Sequence, residues 1–359
     1  MINVTKPFFP PLHEYASYLE EIWKRGWITN NGPLVNELEL ELKKYLQADH
    51  LLYVTNGTVA LQVAIRALEL SGEIITTPFS YIATTSSILW ENSKPVFVDI
   101  DSSTLNIDVT KIEELITDKT SAIIATHVFG NPCNIDQIQD IADRYKLKVI
   151  YDAAHCFGTK YKGKSVFSFG DVSTTSFHAT KVFHTAEGGA VFTPSPDLLK
   201  RMAFMRNFGH HGPEDFAEIG INGKNSELHA ALGLVNLKYI DKILAHREKL
   251  SRYYTECLKP LRHTSITINE HAEYNFSYYP ILFESEAQLL KALKLLNDNW
   301  IYPRRYFHPS LNTIRFVNKQ SMPVSESVST RILCLPLYFD LTESDVDFIT
   351  RLLLRAQNN

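Results

Sequence analysis

Through the middle of the chain, short runs of consecutive apolar and β-branched residues alternate with stretches in which apolar positions return every three or four residues. The short runs lie at 73–77, 95–99, 122–126, 147–151 and 172–177. A strand with one wet face would alternate apolar and polar positions, and these do not. Runs apolar on both faces, with helical spacers between them, predict a mostly parallel sheet covered by helices on two sides. One spacer spans 58–70, with Ala60, Leu61, Ala64, Ile65 and Leu68 at helical spacing, and another spans 136–145. From about 225 to 257 the pattern turns helical for a long stretch, and beyond it short strands and helices mix up to Leu354. The expected organisation is α/β: a large sheet domain over 1–245 and a smaller α+β domain over 246–359.

Two of the short runs bring a reactive side chain to a carboxyl edge, where open α/β sheets bind ligands. Asp152 closes Val149-Ile150-Tyr151-Asp152, and Lys181 follows Ser176-Phe177-His178-Ala179-Thr180. An amine and a carboxylate so placed could serve pyridoxal 5'-phosphate (PLP). The amine would hold the aldehyde as a Schiff base, and the acid would pair with the protonated ring nitrogen. An N-cap and a solvated lysine would read the same way.

Asn56-Gly57-Thr58 opens the helix at 58–70, and free N–H groups there favour a phosphate. An ordinary Asn-Gly turn with Thr58 as cap is the alternative. The Ser176 hydroxyl is a second phosphate candidate, and Tyr81, just past a strand end, could stack on a planar group or pack in the core. Glu187-Gly188-Gly189 predicts a close backbone approach near the lysine.

Composition narrows the class. The chain has 359 residues, 45% hydrophobic and 21% charged, with net charge −4, so no overall basic field draws it to nucleic acid or anionic lipid. No apolar run approaches the roughly 20 residues of a membrane span. Met1 to Pro7 lacks the apolar core of a leader. Cys133, Cys156, Cys257 and Cys334 show neither paired nor metal-type spacing. A cytoplasmic protein without a metal site is expected.

Ordered motifs then accumulate over nearly the whole chain: Trp27 to Pro33, Asn56-Gly57-Thr58, Pro78 to Thr84, Val98-Asp99-Ile100-Asp101, His127 to Pro132, Asp152-Ala153-Ala154-His155, Ser176 to Lys181, Glu187-Gly188-Gly189 and Gly220 to Ala231. Together they resemble the DegT/DnrJ/EryC1/StrS family of PLP-dependent nucleotide-sugar aminotransferases. The resemblance implies an aspartate-aminotransferase-like fold (fold type I) and a catalytic Lys181 that carries the cofactor and then moves a proton. It also implies Asp152 at the ring nitrogen, Tyr81 on the ring face, His155 near the 3-hydroxyl, and Gly57, Thr58 and Ser176 at the phosphate. In such enzymes the loop matching 220–227 reaches into the neighbouring subunit's site. Asn222 and Lys224 are therefore expected at the other protomer's phosphate, in a homodimer with composite sites. Lys224 stands where members commonly carry Arg, and Asn225 replaces a usual Met.

The motif wording is most similar to the branch that makes dTDP-4-amino-4,6-dideoxy-D-glucose from dTDP-4-keto-6-deoxy-D-glucose and L-glutamate. Amination at C3, giving a 3-amino-3,6-dideoxy sugar, is the alternative. Arg206, His210, His211, Lys224, Arg304 and Arg305 are the cations available to a sugar diphosphate. Trp27 and Tyr306 lie in segments like those that face the sugar.

Overall fold

The computed structural model describes residues 1–358. Seven strands form the central sheet, in the order Leu51–Val54, Gly189–Phe192, Val172–Ser176, Lys148–Asp152, Thr120–Thr126, Glu73–Thr76, Lys94–Phe97. All neighbours run parallel except Gly189–Phe192, which is antiparallel to both of its partners. The expected runs are all present, and Leu51–Val54 is an addition that the hydrophobic pattern did not single out.

Successive side chains point to opposite faces of a strand, and the apolar clusters divide accordingly. Ile75, Ile123, Ala125, Val149 and Tyr151 join one cluster. Ile74, Ala122, Ile124, Ile150 and Val172 join the other. Helices Pro33–Leu46 and Ile135–Tyr145 cover the first face with Leu38, Leu42 and Ile138. Helix Gly57–Ala67 covers the second with Leu61, Ala64 and Ile65. Each such side chain contributes about 1.5–3 kcal/mol on burial, so the sheet is clamped from both sides and its carboxyl edge is held rigidly.

The helical stretch expected at 225–257 is two helices, Glu227–Leu237 and Ile240–Cys257. Tyr239 turns the chain between them, its ring against Phe8 and its hydroxyl on Glu14. The second helix packs Ile240 and Ile243 into the large core, and Leu250 and Tyr254 into a separate cluster. That cluster surrounds the antiparallel pair Tyr279–Leu282 and Ile332–Leu335, backed by helices Glu286–Asp298 and Glu343–Asn358. Buried Asp99 ties this part to the sheet, accepting the N–H groups of Val324 and Ser325 at 2.9 Å each to cap helix Pro323–Arg331.

Glu227 is fully buried and holds the N-terminal segment. Its carboxylate accepts the N–H groups of Leu34 and Val35 at 3.0 and 2.9 Å, capping helix Pro33–Leu46, and pairs with Arg25 at 3.4 Å. Gly32 is required beside it, because a Cβ there would come within 2.4 Å of the carboxyl carbon. The Asn31-Gly32-Pro33 motif thus builds a helix start. A Glu227→Ala variant is expected to lose about 2–4 kcal/mol in urea unfolding, from two orphaned N–H groups and an unpaired arginine. A loss under about 0.5 kcal/mol would show the cap to be dispensable.

Candidate active site

Thr126, Asp152 and Ser176 stand at the carboxyl ends of adjoining parallel strands and line a cavity of about 420 Å³. Lys181 enters it from the segment joining Val172–Ser176 to Gly189–Phe192. That segment continues the strand pairing, with the Phe177 N–H on the Gly188 carbonyl at 2.7 Å and the Ala179 N–H on the Ala186 carbonyl at 2.8 Å. The Lys181 N–H on the His178 carbonyl, 2.9 Å, closes the turn that aims the side chain.

Loss of hydration lowers the Lys181 amine to about 8, against a smaller opposing pull from Asp152 and Cys156. Burial likewise raises the Asp152 carboxyl, opposed by Thr84, the Ala154 N–H and the charge of Lys181. Both shifts run opposite to those of a tight ion pair, and the two groups make no contact within 4.0 Å. They feel one another across open space. A chain of hydroxyls supports the carboxylate: Thr126 donates to Ser80 at 3.0 Å, Ser80 meets Thr84 at 2.7 Å, and Thr84 donates to Asp152 Oδ2 at 2.7 Å. Oδ1 accepts the Ala154 N–H at 3.2 Å.

His155 is buried beside them, and burial lowers its pKa well below the usual value, with the charge of Lys181 adding to the effect. Its Nδ1 accepts the Phe129 N–H at 3.2 Å, which leaves the proton on Nε2 of a neutral ring. Phe307 and Phe129 lie parallel to that ring, at 5.9 and 6.3 Å. Tyr81, Tyr278 and Tyr306 also line the cavity.

At the opposite end stands the start of helix Gly57–Ala67. The Asn56 side chain, rather than Thr58, is the cap, accepting the Val59 N–H at 2.9 Å. The N–H groups of Gly57 and Thr58 have no intrahelical partner and face a cavity wall shared with Ser176. A Cβ on Gly57 would come within 2.9 Å of the Ser176 Cβ, and one on Gly189 within 2.5 Å of the Asn56 carbonyl carbon. Both glycines permit a close approach that brings an anion-binding helix end beside the lysine segment.

The cavity therefore brings together Gly57, Thr58, Tyr81, Asp152, His155, Ser176, Lys181 and Tyr306 from the sequence reading. Asn222 and Lys224 lie outside it within one chain. Lys224 Nζ donates to Asn222 Oδ1 at 2.8 Å and sits 4.5 Å from the Phe208 ring centre. Trp27 is outside as well, its Nε1 donating to the Thr29 carbonyl.

Arg206 requires a correction. Its guanidinium is buried and spent on Glu39 at 2.7 Å and the Tyr53 carbonyl at 2.8 Å, so it holds a helix to a strand and does not face the cavity. His210 and His211 also fall outside, on a loop where they engage Phe216 and Asp215. Sequence reasoning passed over Thr84 and Tyr278, and gave Phe307 no role within the segment that carries Tyr306. Thr84 sat inside a quoted motif, but only the packing of the start of helix Ile82–Trp90 against the end of strand Lys148–Asp152 shows that it supports Asp152.

Residues 12–353 match the model of the DegT/DnrJ/EryC1/StrS aminotransferase family. The chain belongs to that family. It is 41% identical to a dTDP-4-amino-4,6-dideoxy-D-glucose transaminase of Escherichia coli over 98% of both chains, and 42% identical to one of Shigella dysenteriae over 97% of both. The fold matches the crystal structure of DesI determined in the presence of its TDP-sugar product. That match has a TM-score of 0.94 at 30% identity and covers 99% of this chain and 93% of that one. The chain is accordingly an aminotransferase of α/β architecture. Among the described residues no helix is long and apolar enough to cross a membrane, and no group of three metal-ligating side chains occurs.

The lowered pKa of Lys181 can be read directly. In protein without cofactor, trinitrobenzenesulfonate labelling of Lys181, followed by peptide mapping, is expected to rise with pH through a midpoint near 8. Ordinary lysines rise only near 10.4. A midpoint for Lys181 indistinguishable from the others would contradict the burial account.

Proposed function

We propose that the chain converts dTDP-4-keto-6-deoxy-D-glucose to dTDP-4-amino-4,6-dideoxy-D-glucose, with PLP as cofactor and L-glutamate as amino donor. The observation that carries this reading is the placement of Lys181 and Asp152 across one cavity from each other, with an open helix start on a third side. The relatives named for that product align over almost the full chain.

The residues suit such a cofactor. The N–H groups of Gly57 and Thr58 and the Ser176 hydroxyl would hold its phosphate, and Tyr81 would cover a ring face. The Nε2–H of His155 would donate to the ring hydroxyl. When bound, PLP supplies an aldehyde that takes up an amine and a ring that stores the electron pair left when a proton departs.

Asp152, stabilised as an anion by the hydroxyl chain through Thr84, would keep the ring nitrogen protonated. Lys181, with a pKa near 8, is partly neutral at physiological pH, so its Nζ can accept a proton from the donor's α-carbon and return it elsewhere. Tyr278 and Phe307, packed on Phe129, line the cavity and would limit water around that exchange. Asn222 and Lys224 would complete the phosphate site of a second copy, giving a homodimer with composite sites.

Incubation with PLP, L-glutamate and dTDP-4-keto-6-deoxy-D-glucose is expected to give a nucleotide sugar with nitrogen on C4, read by NMR. Nitrogen on C3 would favour the 3-amino alternative. Lys181→Ala is expected to abolish turnover and the glutamate-dependent absorbance change together. A Lys181→Ala protein that still turned over would remove the lysine from the mechanism.

A further inference from the structure

We propose that a small chamber beside Lys181 holds the single water that amino transfer consumes and returns, with Tyr278 as the residue that positions it. The inference rests on glutamate as donor in the reading above and adds a site to it. For the donor skeleton to leave, a water oxygen must bond to the carbon that is doubly bonded to nitrogen. The carbon–nitrogen bond then breaks, and the carbon keeps the oxygen as the carbonyl of 2-oxoglutarate. Both water protons end on the nitrogen that stays with the cofactor. The keto sugar runs the same exchange backwards and releases one water. A cavity whose aromatic side chains limit water needs a place for this one.

The chamber adjoins the main cavity and measures about 10 Å³, roughly the room that one water needs. Ala154, His155, Ser176, Thr180, Lys181 and Tyr278 line both spaces. A cavity that stays dry has an apolar lining. Here Phe157 and Val182 supply only part of the wall, and polar side chains supply the rest. Tyr278 is 8% exposed. Its ring centre stands 4.8 Å from that of His155 and 5.6 Å from that of Tyr306, so its side chain faces the cavity that they line.

A buried tyrosine hydroxyl ordinarily finds a partner. On the same segment the Tyr274 hydroxyl donates to the Phe129 carbonyl at 3.0 Å, and the Tyr279 hydroxyl meets Thr255 Oγ1 at 3.0 Å. The Tyr278 hydroxyl has no partner among the described residues and stays open to the spaces it lines. Burial raises its pKa and keeps it a donor. Thr180 supplies an acceptor. His178 Nδ1 accepts the Thr180 N–H at 3.3 Å, so the Thr180 hydroxyl, 2.8 Å from the same nitrogen, donates to it and keeps its own lone pairs free. Lys181 Nζ, partly neutral with a pKa of about 8, can take a proton from the attacking water and pass it to the nitrogen. A donor, an acceptor and a base thus converge on a space for one water.

The test has two parts. In crystals of PLP-loaded protein treated with glutamate, where Lys181 is free, one ordered water is expected within hydrogen-bond reach of Tyr278 Oη and Lys181 Nζ. A chamber without that water in the wild type would overturn the proposal, however the variants behave. In solution, PLP-loaded protein is given α-deuterated glutamate, with deuterium loss to solvent read by NMR and 2-oxoglutarate by a coupled dehydrogenase. Tyr278→Phe is expected to lower the ratio of 2-oxoglutarate release to deuterium loss about tenfold, and Thr180→Val to lower it in the same direction. If Tyr278→Phe slows both by the same factor, or neither, Tyr278 does not position the water and the proposal falls while the donor assignment stands. A wild type that neither exchanges deuterium nor releases 2-oxoglutarate would overturn glutamate as donor, and the proposal with it.

Discussion

Two ionisable groups that each resist being charged are held facing one another without touching, and the rest of the molecule serves that arrangement. Burial pushes the Lys181 amine down and the Asp152 carboxyl up. A direct contact would relieve both and fill the site. Contact is prevented by the fold: Asp152 ends one strand, and Lys181 hangs from the return segment beyond the adjoining strand. The carboxyl is steadied instead by a line of hydroxyls from Thr126 through Ser80 to Thr84. The amine is left poised near neutrality, which is the condition for moving protons at ordinary pH.

Keeping the two apart requires a stiff frame, and much of the distinctive sequence is devoted to it. The Asp99 of the Val98 to Asp101 motif caps a helix contributed from beyond residue 300, joining the two packed parts. Asn106 donates to the carbonyls of Asn131 and Pro132 and accepts the Val128 N–H, pinning the loop that carries Phe129. That N–H of Phe129 in turn sets the tautomer of His155. Glu227 with Gly32 fixes the first long helix. Asn275 and Ser277 then clamp the His155 carbonyl from the other side.

The parallel sheet was legible because its central strands are apolar on both faces, and Asp152 and Lys181 because each follows such a run. Leu51–Val54 was harder to see. It is short, and its place in the sheet depends on Gly189–Phe192 inserting antiparallel beside it, which no local pattern announces. The break at Tyr239 was hidden because a long helical pattern does not reveal a ring and a hydroxyl recruited by Phe8 and Glu14. Arg206 looked like a free cation because a sequence does not show that Glu39 and a strand carbonyl consume it. Thr84 was overlooked for the complementary reason: a common hydroxyl gains its role only from the strand end it meets.

The central claim is that Lys181 is the amine that meets the cofactor aldehyde, with Asp152 across the cavity. Incubation with PLP, reduction with borohydride and peptide mapping by mass spectrometry tests it most directly. The account predicts a single pyridoxyl-phosphate label, on Lys181, weakened when Asp152 is replaced by alanine. A label on another lysine, or none, would contradict it.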